Sequence, residues 1–252
     1  MCQVCRSPRL RTSAFCPYSA AGRLSPTVPS ANVPVVAHVP ESRATRPAIT
    51  RVAAVTGDDV RAAAELCERI LEPALGADWD VPVPDLEFTV ATVVAHAAES
   101  PLWYSVDLWS GRENAAFEVK VLPDASNSAL LTSLVAASRA LAAGVDTAPA
   151  GTRGFHPFGS PDPSGFAAMA CDELLVHGDD AARGLGVSFT PEDRLAADVL
   201  ARLFPWHAVG PDDDPWQMLL WANGRIELAG RSPQRKWRWH CAPLSEWDGT
   251  AP

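Results

Sequence analysis

Three polar side chains in the stretch 166–186, FAAMACDELLVHGDDAARGLG, have the types and spacing to hold a cation: Glu173, His177 and Asp180. On a helix advancing about 100° per residue, steps of four and three place them within a sector of roughly 60°, so they can point at one object. A carboxylate and an imidazole one turn apart can both reach a single ion at about 2.0–2.2 Å. A second stretch, FTVATVVAHAAES at 88–100, offers His96 from another predicted helix. His96, Glu173 and His177 together supply two nitrogens and an oxygen, a donor set for a divalent metal that leaves at least one coordination position open. The residues around them are apolar enough to be buried, and a buried charge needs a partner. Asp180 continues the same face, either as a charge at the solvated edge or as a partner that orients His177.

Other elements must hold these two helices in place. Thr56 is expected to cap a first helix, with Asp58 and Asp59 in its first turn and apolar positions recurring from Val60 to Leu71. Asp85 or Thr89 opens the helix of His96, whose stripe is Leu86, Val90, Val93, Val94 and Ala97. Pro101 is expected to kink it or to begin a new segment capped by Ser100 and reaching about Ser110. A third long helix is predicted over 125–144, capped by Ser126 or Asn127 and stopped by Gly144. A Pro- and Gly-rich loop, 145–165, then leads into the helix of Glu173, with Asp162 or Ser164 as cap and Gly184 and Gly186 at its end. His156 in that loop is read as bonded locally. A further helix starts with Thr190 as cap and Pro191 at its first position and runs to Phe204.

After Pro205 the texture changes: residues 206–252 hold six of the nine tryptophans. The segment MLLWANGRIELAG reads as a short helix turning at Asn223–Gly224 into a strand, and KWRWHC alternates as a strand does. The chain thus divides into a tail (1–54), a helical bundle (55–205) and a small Trp-rich appendage packed on it (206–252). The tail has seven prolines and no sustained periodicity, which fits a disordered segment, a transit peptide or a start placed too far upstream.

Composition sets the class. The 252 residues are 47% hydrophobic with a mean hydropathy of −0.01, as in soluble globular proteins, and no wholly apolar run approaches the roughly 18 residues of a membrane span. The net charge of −9 divides into +6 for residues 1–51 and −15 for the rest, and an acidic body repels nucleic acid. The tryptophans are therefore assigned to packing rather than to base stacking. Six scattered cysteines fit reduced thiols in a cytoplasmic protein. Cys171 is rotated about 160° from Glu173, away from the site, and Cys2, Cys5, Cys16 and His38 lack the second pair that would close a zinc site.

The blocks DELLVHGDDAARGLG, TVATVVAHA and LLWANGRIELAG resemble the mycothiol-dependent maleylpyruvate isomerase family of the DinB/YfiT-like superfamily, over about residues 56–230. The resemblance implies a mainly α fold, a DinB-like four-helix bundle, here with a small α+β C-terminal appendage. It implies His96, Glu173 and His177 as metal ligands, Asp180 on the side of the thiol cofactor, and Arg225 toward cofactor or substrate. It further implies mycothiol, or another low-molecular-weight thiol, as cofactor, activated as a thiolate for attack on a small electrophile in an isomerase or transferase reaction. Zinc suits the donor set, and nickel, iron and manganese are compatible with it. The expected partners are that thiol and a small electrophile, without nucleic acid or membrane. The alternatives are a bundle that binds a metal or small ligand without turnover, and a purely structural metal site. Phe88 stands where the family often has tryptophan, and His177-Gly178-Asp179-Asp180 lacks the tryptophan of the family's H-x-W-D form. Only about 45 residues follow Trp206, too few for the full sterol-carrier-like domain, so the substrate pocket and maleylpyruvate itself do not carry over.

Overall fold

The computed structural model describes residues 54–116, 118–207 and 209–251. The N-terminal tail, its alternative readings and the Cys2, Cys5, Cys16 and His38 group lie outside these residues. What is described is mainly helical. It comprises α1 (Gly57–Leu71), α2 (Val90–Asp107), α3 (Asn127–Thr147), α4 (Pro163–Leu185), α5 (Asp193–Leu203) and α6 (Pro215–Ala222), with short 3-10 turns at Glu72–Ala74 and Leu244–Glu246.

Local side-chain chemistry sets most of the starts. Thr56 caps α1 in a reciprocal capping box with Asp59, and Thr89, Ser126 and Asp162 cap α2, α3 and α4 by accepting from the backbone N–H three residues on. Pro163 occupies the first turn of α4, and Gly186 ends it at φ 68°, a left-handed cap that suits glycine. In three places the helices differ from the expectation. The helix of His96 runs through Pro101 to Asp107 without a new start; Ser100 is not a cap but donates its hydroxyl to the His96 carbonyl. Buried Tyr104 and Leu108 pack the C-terminal half into the core, which offsets the bond lost at Pro101. Gly144 does not stop α3, which continues to Thr147. Thr190 and Pro191 precede rather than begin α5, whose cap position is Glu192.

The first four helices form a bundle, in which α3 and α4 each pack against both α1 and α2. Helix α3 is long and apolar enough to cross a membrane, but half of its most apolar window is buried in the bundle. Helix α4 is enclosed on every side: each residue from Gly165 to Gly178 is buried. An apolar helix that meets neighbours all round has no solvated face, so the acids and histidine it carries are buried with it. Helix α5 packs on α4 and α6 packs on α5.

The C-terminal segment contains helix α6, capped by Asp214, but no strand among the described residues, against the expectation for 224–228 and 236–241. Asn223 and Gly224 do make the turn, with Gly224 at φ 69°. Beyond it the chain finds side chains instead of a partner strand: Arg202 donates to the carbonyls of His240 and Cys241, and Trp221 Nε1 donates to Ser232 O. Alternation alone cannot make a strand without an edge to pair with.

Gly165 marks where this segment meets the bundle. A Cβ there would lie 2.3 Å from the Cys241 carbonyl oxygen and 2.8 Å from Arg202 Nη2. Gly165→Ala should therefore be destabilising by about 1–3 kcal/mol, although alanine is the better helix former. Gly76→Ala, with nothing within 4 Å, should leave the melting temperature nearly unchanged. Equal melting curves for the two variants would contradict the close approach.

Candidate metal centre

Helices α2 and α4 lie side by side, and this brings His96 opposite Glu173 and His177. Their ligand atoms all lie within 4.8 Å of one another. Both imidazoles direct Nε2 at the same carboxylate oxygen: Glu173 Oε2 is 3.4 Å from His96 and 3.1 Å from His177. The two rings stand edge to face, with centroids 5.0 Å apart and planes at 85°. Ligands at about 2.0–2.1 Å from a tetrahedral ion sit about 3.3–3.4 Å from each other. The two separations from Glu173 Oε2 match the edges of such a polyhedron, and with all three ligand atoms within 4.8 Å of one another the residues fit a divalent metal. Glu173 and His177 are buried, while the His96 side chain keeps 16% of its exposure.

Each ligand is held from behind. Asp180 Oδ2 accepts from His177 Nδ1 at 3.1 Å, which fixes the tautomer that presents Nε2 to an ion. Asp180 is fully buried and is itself paired by Arg225, whose Nε reaches both carboxylate oxygens at 3.2 and 3.1 Å and whose Nη2 lies 3.0 Å from Oδ2. Burial opposes ionisation of Asp180, but Arg225 and His177 more than offset it and hold its carboxyl below the ordinary range. On the other side, Glu173 Oε1 accepts from the Tyr104 hydroxyl at 3.4 Å.

The five site residues chosen from sequence therefore fall in one connected network. Asp180 contacts His177 rather than open solvent, and Arg225 turns Nε and Nη2 to Asp180. Other neighbours were not legible. Asp172, one residue before Glu173, accepts from Asn223 Nδ2 at 2.8 Å and from Trp239 Nε1 at 3.0 Å. Tyr104 stands eight residues after His96, about 80° round the helix, a signal the sequence did carry. His156 bonds within its loop, accepting from Phe158 N–H at Nδ1, yet its ring is buried against Tyr104 and Trp239. Burial pushes the His156 pKa down to about 4 despite the nearby Glu173 charge, so it is neutral.

The described cysteines are not nucleophiles. Burial pushes Cys67 up to about 12 and Cys241 to about 11, and raises Cys171 well above its ordinary value. Among the described residues, none therefore offers a thiolate near neutral pH.

In the metal-free protein, burial favours neutral His177, but hydrogen bonds to Asp180 and Glu173 prevail and raise its pKa to about 9. Burial likewise opposes ionisation of Glu173, and His177 and His96 overcome it, holding that carboxyl well below its usual range. A metal must therefore displace a proton from His177, not from Glu173, at neutral pH. Apparent affinity should rise about tenfold per pH unit from about pH 6.5 toward 8.5 and level off near 9. Competition titration with a chelator checks the slope; a flat profile would contradict a protonated His177.

Residues 60–182 match the family described as Mycothiol maleylpyruvate isomerase N-terminal domain. No curated protein and no solved structure matches the chain.

Proposed function

We propose that this chain, whose residues 60–182 belong to the mycothiol maleylpyruvate isomerase N-terminal domain family, is a divalent-metal-dependent isomerase or transferase that uses mycothiol or a related small thiol against a small electrophile. The observation that carries it is the convergence of His96, Glu173 and His177, the three donors grouped there among the described residues. Three donors and an open position are the mark of a catalytic rather than a closed structural site. Bound there, a metal supplies an acceptor for a thiol sulfur and lowers the thiol pKa toward neutrality.

The chain's own residues then orient and exclude. Asp180 keeps the His177 ring turned so that Nε2 faces the ion position, and Arg225 keeps the buried Asp180 ionised. Tyr104 fixes the second oxygen of Glu173. Arg225 also lines the cleft beside Glu173 and His177, where Nη1 donates one N–H to Asn223 O at 3.4 Å and has a second that can meet a carboxylate of the thiol or substrate. Zinc is the metal best matched to two imidazoles and a carboxylate, with nickel, iron or manganese as alternatives.

A second reading is favoured by one observation: the cleft at Glu173 and His177 is narrow. On that reading the bundle binds a metal or small ligand without turnover. Elemental analysis of wild type beside His177→Ala, followed by a mycothiol-depletion assay with a panel of electrophiles, separates the two. We expect about one metal per chain in wild type, loss of metal in the variant, and thiol consumption that needs the metal. Metal retained by His177→Ala would refute the ligand set. Metal without any thiol consumption would leave the binding bundle as the function.

A further inference from the structure

The cleft beside the metal ligands has Glu173 and His177 on the α4 side and Arg225, Trp237 and Trp239 on the other, and its volume of ≈ 10 Å³ admits about one water. No organic thiol or electrophile can approach the two ligands from this side while the segment carrying the tryptophans stays where it is. That segment, residues 226–238, has no helix or strand. It is anchored at both ends. At the start, Arg225 N donates to Leu220 O at 2.9 Å and the Arg225 guanidinium pairs with Asp180. At the end, His240 N donates to Leu203 O at 2.8 Å and Arg202 binds the carbonyls of His240 and Cys241.

Between the anchors Ile226, Leu228 and Trp237 pack partly buried on the core, Trp237 against Phe204 at the end of α5, and the polar attachments are few. Trp221 Nε1 holds Ser232 O, and Arg231 pairs with Asp213; both reach α6 or the loop before it, not α4. What ties the segment and its neighbouring turn to α4 at the site is Asp172, which takes Asn223 Nδ2 with one oxygen and Trp239 Nε1 with the other. Asp172 and Asp180 thus bracket Glu173 and His177 along α4: Asp180 binds Arg225 at the start of the segment, and Asp172 binds the residues flanking both its ends. We propose that residues 226–238 form a strap across the metal site, that Asp172 is the positioning residue holding it closed through Trp239 and Asn223, and that the strap opens to admit a small molecule to the ligands. This rests on the metal reading of His96, Glu173 and His177.

The test uses the full chain loaded with zinc, and the variants Trp239→Phe, which keeps the ring and removes the N–H, and Asp172→Asn, which keeps the shape and loses one acceptor. Two rates are read: amide hydrogen exchange of residues 226–238, and zinc transfer to a chromophoric chelator. Both should rise roughly tenfold in either variant, the weight of one buried hydrogen bond, while zinc content and the exchange of α2 and α4 amides stay as in wild type. Combining the two substitutions should add less than the sum of the single effects, because both act on contacts of Asp172. Unchanged rates would overturn the strap, as would faster zinc transfer without faster exchange of 226–238. Should either variant fail to fold, Trp237→Ala, at a half-buried position on the cleft wall, should speed zinc transfer by widening the cleft, and an unchanged rate there would overturn the strap equally. Absence of zinc from wild type would refute the metal reading instead, and the exchange rates of 226–238 would still decide the strap.

Discussion

Glu173 is a carboxylate on a helix that is buried on every side, and the rest of the structure answers to that constraint. Taking a carboxylate out of water costs several kcal/mol unless charge and hydrogen bonds replace the solvent. Here the replacement comes from His96 and His177 on one oxygen and Tyr104 on the other. The arrangement is costly without a cation, since the only positive charge next to the carboxylate must then come from protonated imidazole. A divalent ion between the three groups supplies the charge directly and lets both imidazoles act as neutral ligands. The same atoms that make the buried helix expensive make it a candidate binding site.

The compensation extends outward in steps. His177 positively polarised needs Asp180, Asp180 buried needs Arg225, and Arg225 belongs to the segment after α6 rather than to the bundle. Asp172 repeats the pattern with Asn223 and Trp239. The C-terminal segment is therefore tied to the bundle in part through the acids next to the candidate ligands, beside its close approach at Gly165. Its position and the electrostatics of the site are one problem, which is why so short a segment can wall the cleft without a sheet of its own.

How much of this was legible depends on how local each signal is. The caps Thr56, Thr89, Ser126 and Asp162 act on residues three positions away and were readable as side-chain chemistry. Glu173, His177 and Asp180 were readable because one helical turn puts them on one face, and His96 because it is the lone histidine beside the apolar stripe of a second helix. Pro101 misled, since the proline penalty is local while the packing of Tyr104 and Leu108 that overrides it is tertiary. The strands expected after Gly224 misled for the converse reason: alternation was present but no edge existed for them to join. Asp172 and Trp239 are 67 residues apart, and no periodicity announces such a pair. Arg225 was chosen through the family resemblance as a contact for cofactor or substrate; its contact with Asp180 gives it in addition a structural duty.

X-ray absorption at the zinc edge of the loaded protein tests the central claim most directly. If His96, Glu173 and His177 hold the ion, the first shell contains only nitrogen and oxygen at about 2.0–2.1 Å, with outer-shell scattering from two imidazoles and at least one position filled from solvent. Adding mycothiol should then bring a sulfur into the shell at about 2.3 Å. A spectrum without imidazole scattering, or with protein sulfur before any thiol is added, would contradict the assignment of the site.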